Sequence, residues 1–313
     1  MIYTITLNPS IDRTMHFARL AVGELNRAMR SRSDYSGKGI NVSLALARFA
    51  LPSVAMGFIA GAYGRVLRAG LEEMGLTCDL VEVAGETRSN ITVIDAGTGV
   101  TTKLNEPGPT VTPADLAAFE ARLVARLRPG DVCVMSGALP AGAPADTYAR
   151  LIAAAHGAGA LAVLDASGAA LAAGCAAAPD LVKPNAVEAR ELVSIAPEGS
   201  GDASAAVTAT LAALRRLGPA RVLLSLGADG GALADGQGVY LATPPAITEV
   251  SAVGAGDTFL AGGLWAWLQG LPAAEIVRWA VAAGTAAALL DGTAIPERGR
   301  MATVYRDVVV RAA

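Results

Sequence analysis

At 313 residues the chain is long for one simple core, yet within reach of a large α/β domain carrying a small appendage. Its formal charge of -3, pI near 5.5 and lack of any Lys/Arg run leave no electrostatic footprint for DNA, RNA or an anionic membrane; small molecules are the expected partners. Hydrophobic residues reach 53% while aromatics supply only 4%, so the core is expected to rest on many small aliphatic contacts.

The chain opens with a strand pattern, Ile2 to Leu7, without the basic start and apolar run of a signal peptide, and a cytoplasmic location is expected. Further strand patterns run over Ser53 to Ile59, Asp131 to Ser136, Ala160 to Leu164, Leu181 to Lys183 and Arg221 to Ser225. Between them lie helical patterns at Ile40 to Ala50, Pro113 to Leu127, Ala143 to His156, Ala203 to Leu217 and Ala273 to Leu290. Pro113 and Pro272 suit first-turn positions, and Gly75, Pro129-Gly130 and Gly218-Pro219 mark helix stops. This alternation predicts one α/β domain over residues 1–313, a doubly wound, mostly parallel sheet flanked by helices. Two stretches break it, about 13–35 and 87–105; the second alternates as hairpins do, and together they suggest a small β-sheet lid. Ala196 to Ser204 reads as a surface loop. Trp279 to Leu290 is too short to span a bilayer and reads as a buried helix. Cys78, Cys133 and Cys175 fit neither a disulfide framework nor a metal site and are taken as buried apolar residues.

The most informative segment is Gly254-Ala255-Gly256-Asp257-Thr258, followed by an apolar helical pattern to Leu268. Small residues leave backbone amides uncovered at a helix N-terminus, where those amides and the helix dipole favour an anion such as phosphate. Asp257 falls in the first turn, placed to orient and deprotonate an attacking hydroxyl. Taken alone, the segment equally fits an acid that merely complements the dipole after a tight turn. A second glycine-rich helix entry, Ser36-Gly37-Lys38-Gly39-Ile40-Asn41, offers close backbone approach, a point charge and an amide suited to sugar hydroxyls. It is not a Walker A loop, because Arg32 and Gly39 stand where that motif needs Gly and Ser/Thr.

Lys183-Pro184-Asn185-Ala186-Val187-Glu188 has capping-box spacing, with Asn185 as N-cap and Glu188 three residues on. Ser225-Leu226-Gly227-Ala228-Asp229-Gly230 leaves a strand into a glycine turn that suits either a nucleotide or a plain hairpin. No GxGxxG, HExxH or GxSxG is present, which counts against dinucleotide, zinc-protease and nucleophile-elbow chemistry, and only His16 and His156 occur.

Together these four segments, taken in chain order from Ser36 to Thr258 over nearly the whole chain, resemble the ribokinase-like (PfkB) sugar kinase family. The resemblance implies Asp257 as catalytic base and Gly254, Ala255 and Gly256 as the hole for the transferring phosphoryl. It implies ATP as donor, served by Lys183, Asn185, Ser225, Gly227 and Gly230, with Glu188 acting near Mg²⁺ through water. It further implies a lid over the sugar that also serves as a homodimer interface.

The opening Thr4-Ile5-Thr6-Leu7-Asn8-Pro9-Ser10-Ile11-Asp12 is similar to the branch that phosphorylates hexose phosphates, with Asp12 on sugar hydroxyls. Thr87-Arg88-Ser89-Asn90, Asn105 to Pro109 and Ser136-Gly137-Ala138-Leu139-Pro140 resemble 1-phosphofructokinases and tagatose-6-phosphate kinases. Lys38, Arg88 and Lys103 are the cations a phosphate-bearing substrate requires, with plain surface solvation as the lesser alternative for Arg88 and Lys103. The substrate set implied is Asp12, Gly37, Lys38, Gly39, Asn41, Arg88, Asn90, Lys103, Ser136 and Gly137. Ser251 stands where many members carry Asp, and it looks like what the hexose-phosphate branch has there. The expected reaction is phosphorylation of fructose 1-phosphate, with tagatose 6-phosphate or fructose 6-phosphate next. A non-catalytic sugar-phosphate or nucleotide sensor on the same fold is the rival from another class.

Overall fold

Strand β1 (Ile2–Thr6) is buried along its whole length because both of its faces are covered. Its neighbours are β4 (Ser53–Ala60) on one side and β8 (Val132–Ser136) on the other, both parallel to it. The computed structural model describes residues 1–193 and 203–313. From β1 the chain first builds outward through β4 to β5 (Thr77–Val83), then returns to build the other way. That second run goes through β8, β9 (Leu161–Asp165), β10 (Leu181–Val182) and β11 (Val222–Ser225), all parallel. Three antiparallel strands, β12 (Gly231–Ala234), β13 (Val239–Thr243) and β14 (Val309–Ala312), complete a ten-stranded sheet. The reversal of direction at β1 opens a crevice at the carboxyl ends of the parallel strands, where open α/β sheets bind ligands.

Alternate residues of each central strand feed two cores. Tyr3, Ile5, Cys133 and Met135 face one layer of helices, α3 (Pro113–Arg126), α4 (Thr147–Gly157), α5 (Gly168–Ala176), α6 (Ala186–Val193) and α7 (Ala203–Arg216). Ile2, Val132 and Val134 face the other, built on α1 (Lys38–Arg48), α8 (Ala255–Leu268), α9 (Ala273–Ala288) and α10 (Arg298–Asp307). Helix α2 (Gly61–Glu73) closes this layer over β4 and β5 through Leu67 and Leu71. The alanine-rich composition is used here: α8 and α9 pack so closely that a Cβ on Gly262 would lie 2.7 Å from the Trp279 carbonyl oxygen.

A second, four-stranded sheet stands apart, in the order β3 (Arg30–Ser36), β2 (Ser10–Phe17), β6 (Arg88–Asp95), β7 (Thr101–Asn105). Its register sets Ser10, Asp12 and Thr14 opposite Arg88, Asn90 and Thr92, and Asn90 and Thr92 opposite Asn105 and Lys103. One face therefore carries Asp12, Arg88, Asn90 and Lys103, while Ile11, Met15, Ile91, Val93 and Leu104 share the other.

Element limits follow the sequence reading with small shifts. The helix expected from Ala143 starts at Thr147, after a turn in which the Thr147 hydroxyl donates to the Pro144 carbonyl (2.6 Å). Most of the loop expected at Ala196 to Ser204 lies outside the described residues, and its last two residues already belong to α7. Cys133 and Cys175 are buried as expected, but Cys78, near the start of edge strand β5, is only half-buried. Among the described residues no helix is long and apolar enough to cross a membrane.

Candidate active site

Helix α8 begins after Gly254, whose φ of +76° is a left-handed turn that a side chain would strain. The Ala255 amide reaches the Ala252 carbonyl (3.3 Å), whereas the Gly256 and Asp257 amides have no acceptor among the described residues. Two free donors and the positive end of a 14-residue helix thus face one point. Asp257 sits beside them, only 7% exposed, and its Oδ2 accepts from Asn41 Nδ2 (2.7 Å). Burial pushes its carboxyl up to about 6, with the charge of Asp165 adding, against the Asn41 hydrogen bond and the cations Lys38 and Lys183.

Helix α1 supplies both Asn41 and Lys38, because Gly37 at φ +151° lets the chain leave β3 and turn straight into the helix. A Cβ on Gly39 would lie 2.6 Å from the Thr6 hydroxyl oxygen, so this helix end lies against the end of β1. Lys38 Nζ donates to Asp165 Oδ1 (2.9 Å), and Lys183 Nζ stands 3.2 Å from the same oxygen. Burial opposes the charge of Lys38, but Asp165, with Asp257 and Glu188, holds its ammonium above the usual lysine range. A Cβ on Gly256 would stand 3.9 Å from Lys183 Nζ, so this cation borders the free amides of α8.

The sequence motifs do not single out Asp165. The available signal is its place at the carboxyl end of an apolar strand, shared with Ser136, its register partner on β8, and with Lys183, next after β10. Gly137 donates its amide to the Asp165 carbonyl (2.9 Å), which brings Ser136 and Gly137 into the same cluster.

The second sheet contributes its polar face. Asp12 Oδ1 accepts from Ser10 Oγ (2.7 Å) and from Asn90 Nδ2 (2.8 Å). Arg88 is half-buried, and burial, against the charge of Asp12, lowers its pKa. It borders an open cavity of about 560 Å³ shared with Glu106, Pro107 and Gly108. Among the described residues, the buried polar atoms that find no hydrogen-bond partner include Asn8 Oδ1, Arg88 Nε, Asn90 Oδ1, Ser136 Oγ and Asp165 Oδ2. Unpaired buried polar atoms are rare, and such a group on one rim suits a polyhydroxy ligand. Lys103 stands apart from them, exposed and without an ion pair among the described residues.

On the far side, Asn185 and Glu188 form the expected capping box. Asn185 Oδ1 accepts from the Val187 (2.8 Å) and Glu188 (2.9 Å) amides, while Glu188 Oε2 accepts from the Asn185 amide (2.8 Å). Asn185 and Ser225 pair as an isolated bridge, which places Lys183 and the β11 exit side by side. Beyond Ser225 a single 3-10 turn, Gly227–Asp229, leads into β12. That segment is a hairpin open at Gly227, where an added Cβ would meet nothing within 4 Å. At Gly230, by contrast, a Cβ would strike the Ala242 carbonyl. Among the described residues no cluster of three acidic, His or Cys side chains forms a ready metal cage.

A buried acid of raised basicity, free amides at a helix start and two lysines within one cluster suit transfer of a phosphoryl group to a hydroxyl. Relatives agree. A 1-phosphofructokinase of Xanthomonas campestris is 38% identical over 307 residues, covering 96% of this chain and 88% of its own. A tagatose-6-phosphate kinase of Staphylococcus epidermidis is 31% identical over 265 residues, 84% of each chain. The crystal structure of Escherichia coli phosphofructokinase-2 in complex with potassium superposes with a TM-score of 0.91 at 29% identity, covering 97% of this chain and 98% of the other. The pfkB family carbohydrate kinase model matches residues 5–298, and with the site built on that frame the chain belongs to this family of kinases.

Proposed function

We propose that the protein transfers the γ-phosphoryl group of ATP to a hydroxyl of fructose 1-phosphate, giving fructose 1,6-bisphosphate. The observation that carries this reading is Asp257, buried, raised to about 6 and set beside the two free amides that open α8. Asp257 takes the hydroxyl proton, the sugar oxygen bonds to the γ-phosphorus, and the bond from that phosphorus to the bridging oxygen breaks as ADP leaves. The Gly254–Gly256 turn and Lys183 meet the negative charge that develops on the transferring group. Asp12, with Asn90 and Asn41, holds sugar hydroxyls, and Arg88 meets the phosphate the substrate already bears, with Lys38 and Lys103 as further cations.

Lys183, Asn185, Ser225, Gly227 and Gly230 serve the nucleotide. The residues fit Mg²⁺: Glu188 uses one carboxylate oxygen in its capping box and keeps the other free, and Mg²⁺ characteristically takes one or two carboxylates plus phosphates and water. When bound, Mg²⁺ supplies positive charge to the phosphate oxygens. The second sheet acts as a lid over the sugar and, through its apolar face, joins two copies into a homodimer.

The test is ADP release with fructose 1-phosphate, fructose 6-phosphate, tagatose 6-phosphate, fructose and ribose. The highest kcat/KM is expected with fructose 1-phosphate. Preference for another of the phosphorylated ketoses would move the substrate within the class. Preference for an unphosphorylated sugar, or binding without ADP formation, would overturn the reading.

A further inference from the structure

Two lysines share one oxygen of Asp165, and that carboxylate is fully buried. Lys183 is itself almost fully buried, whereas the Lys38 side chain keeps 37% exposure. The groups facing Asp257 are Asn41 and Lys38 from α1, Asp165 from β9 and Lys183 from the segment after β10. Both ammonium groups are near enough to act on Asp257, yet among the described residues its only side-chain hydrogen bond comes from the neutral amide of Asn41.

We propose that Asp165 is a positioning residue for the transfer step: it draws the ammonium groups of Lys38 and Lys183 to one side, leaving the Asp257 carboxylate free to receive a hydroxyl proton and the two cations aimed at phosphate. The physical reason is the strength of an ion pair in a water-poor site, where a buried ammonium takes the nearest available carboxylate. Without Asp165 that carboxylate would be Asp257, and an acid locked in an ion pair is a poor base. The Lys183 ammonium has a short path to it, as it already borders Gly256. Asp165 also raises the basicity of Asp257 directly by the repulsion of like charges. Its second oxygen is buried and has no partner among the described residues, so both lysines are held on one oxygen of the carboxylate.

The inference rests on Asp257 being the base, and the experiment separates the two claims. Protein labelled with [4-¹³C]aspartate is titrated by NMR without substrates, with the Asp257 resonance assigned from Asp257→Asn, and kcat is measured against pH with ATP and fructose 1-phosphate. In Asp165→Asn the Asp257 midpoint is expected to fall by at least one pH unit, with a matching downward shift of the acid limb of kcat and a plateau lowered at least tenfold. Asp165→Glu, which keeps the charge, is expected to hold the midpoint within half a unit of the native one. An unchanged midpoint in a folded Asp165→Asn protein overturns the proposal, even if activity falls. Lys38→Met supplies the same test should Asp165→Asn not fold. With its ammonium committed to Asp165, its loss is expected to raise the Asp257 midpoint by less than half a unit, and a rise above one unit shows that Lys38 pairs with Asp257 instead. A midpoint that shifts as expected while the acid limb of kcat stays put would uphold the geometry of the lysines and refute Asp257 as the base.

Discussion

A carboxylate that must take a proton from an alcohol works best when its basicity approaches that of the medium, and burial confers this on Asp257. The raised value near 6 has a definite sign for activity. The acid is ionised above that pH and protonated below it, so with Asp257 as the proposed base kcat is expected to fall about tenfold per pH unit below the limb. Asp257→Asn keeps the shape and the Asn41 contact but cannot take the proton. Its kcat is expected to drop by about 10²- to 10⁴-fold with KM values little changed, and near-native turnover would refute the assignment. Asn41→Ala removes a hydrogen bond that favours the ionised form, so the acid limb is expected to move upward. Asp257, Asn41 and Lys38 are legible in the sequence because each lies in or beside a glycine-rich helix entry. Asp165 is not, because it ends an apolar strand and precedes small residues that make no motif. Only the sheet register sets it opposite Ser136, and only the folded chain brings Lys38 and Lys183 to it.

Among the elements, local chemistry and tertiary packing divide the task of specifying structure. Helix α3 is announced locally: Pro113 opens it, and Thr112 and Asp115 form a reciprocal capping box, the Thr112 hydroxyl accepting from the Asp115 amide (3.2 Å) and Asp115 Oδ2 from the Thr112 amide (2.8 Å). Thr112→Ala is therefore expected to cost about 1 kcal/mol of stability in denaturant unfolding, with kcat and KM unchanged because no site residue lies on α3. Helix α2 is the opposite case. Its glycines weaken the helical signal and make sense only in the fold, since a Cβ on Gly70 would fall within the Tyr35 ring of β3. Helix α5 is uniformly small and apolar and so presents no periodic face. The antiparallel β12 to β14 are short, and β14 is separated from β13 by three helices, so only their pairing reveals them as one edge of the main sheet. The second sheet lies between these extremes. Its alternation is visible from Thr87 to Asn105, but the parallel pairing of β2 with β6, which joins Asp12 to Asn90, is a long-range fact no local pattern contains.

At the scale of the whole molecule, the second sheet poses a problem of exposed surface. Its polar face is accounted for by Asp12, Arg88 and Asn90, but the opposite face is apolar and only partly covered: Ile11 and Tyr35 pack near α2, and Val93 and Phe17 are buried. Farther out Met15 and Ile91 are half-buried and Leu104 is 54% exposed, with Met29 and Val100 exposed nearby at the ends of β3 and β7. A chain of net charge -3 in water gains by covering such a patch, and a second copy presenting the same face meets the need with closed two-fold symmetry. Leu104→Glu places a charge among these residues while leaving Asp12, Arg88 and Asn90 on the other side of the sheet. The native protein is expected to sediment as a dimer and the variant as a monomer. Because a lid freed from its partner closes less firmly over the sugar, its KM for fructose 1-phosphate should rise several-fold while KM for ATP changes little. A Leu104→Glu protein that remains dimeric would move the interface elsewhere, and one that becomes monomeric with both KM values unchanged would detach the lid's role over the sugar from assembly.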